Sequence, residues 1–293
     1  MPSVGLGTWR SDKEKVGSAV ENAIIRNGYR HIDCASIYGN ENEVGEALNS
    51  IITSGEISRE ELFITSKLWN TEHHPDHVEA ACLRSLKDLH LSYVDLYLVH
   101  WGIAFPHGKE LEPMGNDGIV KTQSVSVRET WQAMETLVEK GLVKAIGVAN
   151  FTCPMIVDLL SYAKIKPSIN QIEVHPYNTQ EELVGYCSKR DIQITAYSPL
   201  GSSGVSGHKP IHDEVVIRIG KKHKKSPAQI LVRWSLQRGL IPIPKSTNLH
   251  RLAENIQVYD FKLSIEEMGE LNKLNRNQRY VDPIEWWGIP YFQ

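Results

Sequence analysis

An aspartate that ends a short apolar run, with a tyrosine five residues beyond it, is the first chemical puzzle in this 293-residue chain. In HIDCASIYGNENEVGEAL, Asp33 closes the run and Tyr38 lies in a turn-rich stretch before a helical segment begins. Strand interiors seldom carry a lone carboxylate. Lys67 stands at the far end of a second such run, LFITSKL, and His100 ends a third, VDLYLVH. A buried Asp33–Lys67 pair is poor evidence for stability, because desolvation can outweigh the attraction. It makes better sense as electrostatics for a neighbour, and Tyr38 is the candidate. One positive charge ~4 Å from a phenol, at an effective dielectric of about 20, is worth roughly 4 kcal/mol, or about 3 pKa units. Asp33 would offset part of that. The expectation is a Tyr38 tuned towards neutrality and acting as a proton donor. Lys67 alone would equally suit a Schiff-base aldolase.

These residues need elements to carry them. Short β-rich runs recur at VGLGTW (from Val4), HIDCA, LFITSKL, VDLYLVH, AIGVAN (from Ala145), INQIEV (from Ile169), QITAYSP (from Gln193) and LIPIPK (from Leu240). Helical patterns separate them. DKEKVGSAVENAIIRNG places Val16, Ala19, Val20, Ala23 and Ile24 on one face and closes on Gly28. SVRETWQAMETLVEKG closes on Gly141 in the same way, and SPAQILVRWSLQRG opens on Ser226-Pro227 and closes on Gly239. Eight strand–helix units without an all-β block argue for a parallel sheet clothed by helices. An open doubly wound sheet competes, but GxGxxG follows none of the runs, and eight units favour a closed barrel. The expected fold is therefore α/β, a single (β/α)8 barrel over residues 1–293. Long loops follow the fourth strand (residues 103–127) and the seventh (GSSGVSGHKP). The aromatic tail NRNQRYVDPIEWWGIPYFQ should pack on the barrel, since exposed aromatic weight is costly.

In such a barrel the chemistry gathers at the C-terminal strand ends. Asp33, Lys67, His100, Asn150, Gln171, Glu173, Tyr197, Ser198 and Lys245 all fall late in their strands. That is more than chance convergence on one mouth explains.

Composition excludes several alternatives. Hydrophobic residues make up 41% and charged residues 23%, with a net charge of −3, so nothing suggests a nucleic-acid or anionic-membrane partner. No run is long enough for a membrane helix, and the N-terminus lacks a signal-peptide pattern. The four scattered cysteines contain no CxxC pair and read as reduced thiols of a cytoplasmic protein. HHPDH (His73, His74, His77) lacks metal-ligand spacing and reads as a solvated helix cap. KKHKK (from Lys221) reads as an exposed helix end, and His175 as structural.

The motifs GLGTW, YRHIDCASIYGNENEVGEAL, LFITSKLW, VDLYLVHW, GLVKAIGVANF, INQIEVHPY, AYSPLGS and IPKS…RLAENI resemble the aldo-keto reductase family along essentially the whole chain. The resemblance implies a (β/α)8 barrel that reduces small-molecule carbonyls with NADPH. It makes Asp33, Tyr38, Lys67 and His100 a catalytic tetrad, with Tyr38 the acid, Lys67 its tuning cation, Asp33 the partner of Lys67, and His100 orienting the carbonyl. Trp101 becomes a wall of the substrate pocket. Asn150 and Gln171 would hold the nicotinamide carboxamide and Tyr197 would stack on its ring. Thr8, Ser198, Leu200 and Ser202 would follow along the cofactor. Lys245, Ser246 and Arg251 would take the 2′-phosphate, with Glu254 and Asn255 near adenine. Two cations at a helix start after strand eight favour a phosphate over a bare hydroxyl, hence NADPH over NADH.

Ala149 stands where the family usually has Ser, so one neutral hydrogen bond worth about 1 kcal/mol is expected to be missing. The segment MPSVGLGTW lacks the short hairpin with which relatives usually plug the barrel's bottom, so core residues there are expected to lose cover. The leading reading is an aldehyde or aldose reductase, working as a monomer or weak dimer. An aldose-6-phosphate reductase using Arg276 and Arg279, a non-catalytic crystallin- or channel-subunit-like relative, and a Schiff-base lyase stand beside it.

Overall fold

Whether the eight runs close on themselves is decided by backbone hydrogen bonds. The computed structural model describes residues 1–202 and 208–293. Its strands are β1 Leu6–Gly7, β2 His31–Asp33, β3 Phe63–Leu68, β4 Val94–Val99, β5 Val143–Ala149, β6 Ile169–Glu173, β7 Gln193–Tyr197 and β8 Ile241–Pro242. They form one sheet in chain order. Every neighbouring pair is parallel. The ends meet: the Gly5 N–H donates to the Pro242 carbonyl at 3.0 Å and the Gly7 N–H to that of Pro244 at 3.3 Å. A Cβ at Gly7 would lie 2.9 Å from the Ile243 carbonyl oxygen, so this approach requires glycine. The sheet is a closed (β/α)8 barrel. β1 and β8 are shorter than the runs VGLGTW and LIPIPK suggest. Pro242 and Pro244 have no N–H, so β8 can accept hydrogen bonds there but not donate them.

Eleven helices accompany the strands among the described residues: α1 Lys13–Asn27, α2 Glu41–Thr53, α3 Pro75–Asp88, α4 Val127–Glu139, α5 Cys153–Tyr162, α6 Glu181–Ser188, α7 Glu214–His223, α8 Pro227–Gln237, α9 Leu249–Ile256, α10 Ile265–Asn272 and α11 Ile284–Trp287. None is long and apolar enough to cross a membrane. The expected α1 face (Val16, Ala19, Val20, Ala23, Ile24) is buried, and Gly28 ends the helix at φ 74°. Each large aliphatic so buried contributes about 1.5–3 kcal/mol relative to exposure. Capping boxes open α4 (Ser126 with Glu129) and α8 (Ser226 with Gln229). Strand β4 is buried at every position, which is why VDLYLV reads as nearly continuous apolar sequence.

Beyond the barrel lies a second buried cluster: Trp69, Trp101, Phe105, Val120, Val281 and Trp287. It joins the loop after β4 to the C-terminal tail. The Trp69 indole donates to the Leu111 carbonyl at 2.8 Å and the Trp287 indole to Glu112 Oε1 at 2.9 Å. The Val120 N–H donates to the Trp287 carbonyl, also at 2.9 Å. The expected packing of the tail on the barrel is thus found. Its anchor is Glu173, fully buried, whose carboxylate accepts from the Tyr280 N–H at 2.8 Å and the Val281 N–H at 3.0 Å, with His175 Nε2 at 2.8 Å. Glu173 therefore serves the tail, not the mouth as its strand-end position suggested, and His175 is structural.

Other surface expectations divide. His74 caps α3, accepting from the Asp76 N–H, whereas His73 is buried, and burial pushes its imidazole down to about 3. His73 is thus not part of a solvated cap. In KKHKK, Lys222 and His223 pair with Glu267, and Lys225 with Asp260. All four cysteines are free. Part of the glycine- and serine-rich stretch after β7, residues 203–207, lies outside the described residues.

Candidate active site

Lys67 organises the mouth. Reached from β3, it is fully buried and directs its three N–H bonds to Asp33 Oδ1 at 2.5 Å, the Cys34 carbonyl at 2.7 Å and the Tyr38 hydroxyl at 3.3 Å. Asp33, from the end of β2, accepts at its other oxygen from Gln171 Nε2 at 2.7 Å. With every N–H engaged and the charge held by Asp33, Lys67 offers no free amine to attack a carbonyl, and the Schiff-base alternative loses its nucleophile.

Tyr38 reaches the ammonium from a short 3-10 turn, Ser36–Tyr38, which closes on Gly39. The residue is half-buried, its ring on the cavity wall and its hydroxyl turned to Lys67. Burial pushes this phenol up to about 12; Lys67 pulls it down and Asp33 pushes it up again. The expected tuning towards neutrality is overturned, because Asp33 touches Lys67 and cancels much of its field while desolvation acts on the phenolate in full. Tyr38 keeps its proton at neutral pH, and an ammonium stands in place to stabilise a phenolate. The Lys67 ammonium is disfavoured by burial, but Asp33 and then Tyr38 outweigh that and raise its pKa.

His100 follows β4, its ring 5.8 Å from that of Tyr38 and edge-on to Trp69 at 5.3 Å. Burial, then Lys67, hold it well below the ordinary histidine value, so the ring is neutral. Its Nδ1 has no hydrogen-bond partner among the described residues. A neutral imidazole beside a protonated phenol can bind a carbonyl oxygen and polarise it without competing for the phenol's proton.

These groups open on a cavity of about 760 Å³. On its wall lie Asp33, Tyr38, His100, Trp101, Asn150 and Gln171, then Tyr197 at the end of β7 with Ser198, Leu200 and Ser202 beyond it, and Lys245, Ser246, Arg251, Glu254 and Asn255 from the segment after β8 through α9. Lys67 stands behind Tyr38, off the wall. Thr8 is also off the wall, its hydroxyl donating to the Asp33 carbonyl at 2.9 Å. Asn150 uses both ends of its amide within the protein, donating to the His100 carbonyl at 2.9 Å and accepting from the Tyr197 hydroxyl at 2.7 Å. Asn150 (φ 65°) and Ser198 (φ 49°) occupy the left-handed region, unusual strain of a kind that gathers at functional sites. Ala149 packs with Leu96, Leu98 and Ile169 inside the barrel, off the cavity wall.

Sequence reasoning missed Trp9, Trp69, Glu112, Trp286 and Trp287, which line the same cavity. Aromatic weight in the tail was the available signal; nothing in the sequence pairs Glu112 with Trp287 across 175 residues. Arg276 and Arg279 are absent from the wall. Arg276 stacks 3.6 Å over Tyr177, and Arg279 lies 3.7 Å over Phe292 while donating to Gln180 at 3.0 Å. The sugar-phosphate alternative keeps no residue in the site.

The tail depends on Glu173, which gives a direct check. Glu173→Gln replaces one of two acceptor oxygens with an N–H group facing the Val281 or Tyr280 N–H. Steady-state kinetics should show KM for substrate rising by about tenfold, the cost of one lost charge-assisted hydrogen bond, with kcat changing less. Equal falls in kcat and kcat/KM would place Glu173 in the chemistry instead.

A closed parallel barrel carries a phenol, a buried ammonium and a neutral imidazole at its C-terminal mouth, groups able to bind a carbonyl oxygen and give it a proton. Comparison with known proteins agrees. The aldo/keto reductase family profile matches residues 3–276. Aldo-keto reductase family 1 member A1 of Mus musculus is 51% identical over 290 residues, covering 97% of this chain and 89% of that protein. The Homo sapiens protein of the same name is 50% identical over the same length. Among solved structures, the aldose reductase of Schistosoma japonicum superposes with a TM-score of 0.93 at 44% identity, covering 99% of this chain and 94% of that one. A Bombyx mori aldo-keto reductase, solved in complex with NADP, gives 0.89 at 41% identity, covering 100% and 95%. The chain belongs to the aldo/keto reductase family.

Proposed function

We propose that this protein reduces aldehydes and aldoses to alcohols and polyols with NADPH, Tyr38 giving its proton to the carbonyl oxygen. The observation that carries the reading is the hydrogen bond from Lys67 to the Tyr38 hydroxyl on the cavity wall. When bound, NADPH supplies a hydride; the protein's own residues position the carbonyl and move the proton. His100 orients the oxygen, Tyr38 donates to it, and Lys67 with Asp33 stabilises the resulting phenolate.

The residues present fit this cofactor. Burial pushes the Lys245 ammonium down, with Asp12 compensating only in part, which marks a cation short of counter-charge. Neither Lys245 nor Arg251 forms an ion pair among the described residues. Arg251 lies in the first turn of α9, where Asn248 accepts from its N–H at 3.1 Å. An anionic 2′-phosphate would complete this group, with Ser246 beside it and Glu254 and Asn255 towards adenine. Tyr197 offers a ring face for the nicotinamide, Gln171 and Asn150 its carboxamide contacts, and Ser198, Leu200 and Ser202 the path between. An Asn150 contact would be shared with His100 and Tyr197. Thr8 acts from behind, through the Asp33 carbonyl.

The test is NADPH consumption with glyceraldehyde, xylose and glucose 6-phosphate, with NADH in parallel. Turnover of the neutral aldehydes with NADPH is the expected result; no turnover despite tight NADPH binding would sink the proposal. Lys245→Met should weaken NADPH binding by about ten- to hundredfold, the range of a charge-assisted contact, and leave NADH nearly unchanged. Titration of nucleotide fluorescence measures both.

A further inference from the structure

The aromatic end of the cavity carries a carboxylate for which proton transfer has no use. Glu112 belongs to the loop after β4, lies at the cavity rim and accepts from the Trp287 indole at 2.9 Å. Trp287 packs edge-on against Trp69, ring centres 6.0 Å apart, and Trp69 packs edge-on against His100 at 5.3 Å. Glu112 is thus two rings from the imidazole that faces the substrate oxygen. Its one hydrogen-bond donor is a neutral indole, and no lysine or arginine pairs with it among the described residues. Of the wall's lysines and arginines, Lys245 and Arg251 lie on the β8–α9 side, Lys209 in the loop after β7 and Arg10 after β1.

We propose that Glu112 determines substrate specificity: it admits neutral, hydroxyl-bearing or cationic carbonyl compounds and disfavours those carrying a carboxylate or phosphate. The inference rests on the reductase reading and names the substrate class of that same site. A carboxylate facing the bound substrate accepts hydrogen bonds from hydroxyl groups, which suits an aldose. Facing a second anion it repels, and exclusion of wrong ligands by like charge is a common device of specificity. Water at the rim limits the effect to about fivefold in relative kcat/KM, far below what a buried charge would give.

The competing role is mechanical, with Glu112 serving only to pin Trp287. Glu112→Gln separates the two, because the amide oxygen still accepts from the indole while the charge is gone. The probes are 4-carboxybenzaldehyde and 4-carbamoylbenzaldehyde, which differ in charge and hardly in shape. In Glu112→Gln the carboxy-to-carbamoyl ratio of kcat/KM should rise about fivefold over the parent protein, and added salt should narrow the difference. Glu110→Gln, two residues away on the same loop and off the cavity wall, should leave the ratio unchanged. An unchanged ratio in Glu112→Gln, or an equal rise in Glu110→Gln, overturns the proposal. If the parent protein reduces neither aldehyde, the reductase reading fails separately. Quenching of tryptophan fluorescence by the same two compounds then decides the matter: tighter carboxylate binding in Glu112→Gln supports the charge role, and equal binding overturns it.

Discussion

Tyr38→Phe is expected to lower kcat for carbonyl reduction by about 10³-fold, within the range for loss of a positioned general acid, and to change NADPH affinity less than about twofold. The ring stays on the cavity wall, so the shape of the site is kept; only the hydroxyl that Lys67 holds is removed. The same geometry fixes the pH profile. Tyr38, raised to about 12 by burial, keeps its proton throughout the neutral range, and His100, held well below its ordinary value, stays uncharged there. Reduction should therefore be flat over roughly pH 6–9 and fall only in strong alkali. Alcohol oxidation needs the phenolate and should rise with pH across that interval. Turnover retained in Tyr38→Phe, or a reduction profile with a midpoint near neutrality, would remove Tyr38 from the role of acid.

Lys67→Met carries the second large effect, and it strikes stability as well as rate. Removing the ammonium strands the Asp33 carboxylate in the barrel with Gln171 as its remaining side-chain donor. Breaking a buried pair from one side costs about 3–5 kcal/mol, which in a chain of this size lowers Tm by roughly 5–8 °C. Reduction should slow by about 10³-fold, because the phenolate left by Tyr38 loses its counter-charge. The double variant Asp33→Asn/Lys67→Met separates the two losses: Tm should largely return, since no orphaned charge remains, while kcat stays low. Recovery of both would make the pair purely structural. Because the pKa of Lys67 is raised on folding, its stabilisation holds everywhere below the ordinary lysine value and fades only as alkali removes the proton.

Much of this was legible in the residues because local rules and the fold agree. The face of α1, the closing Gly28 and the opening of α8 at Ser226-Pro227 follow from spacing alone. Asp33, Lys67 and His100 stood out because polar residues at strand ends oppose the apolar pattern around them, and Tyr38 because it lies five residues beyond Asp33. What failed were quantities set by surroundings remote in sequence. Lys67 was visible as a neighbour that pulls the Tyr38 pKa down, but the burial that pushes it up comes from elements all round the mouth. Glu173 reads as another strand-end acid; only the return of the tail shows that its oxygens belong to Tyr280 and Val281. Arg276 and Arg279 look like anion ligands until their stacking on Tyr177 and Phe292 is seen.

The loop after β4 and the C-terminal tail hold one another through Trp287, which gives its indole N–H to Glu112 and its carbonyl to the Val120 N–H. Each segment is held in this arrangement by contacts with the other. In evolution or by grafting, the two are therefore one transferable cassette: a loop exchanged alone between relatives arrives without the partner that shapes it, and new substrate preferences travel only when both segments move together.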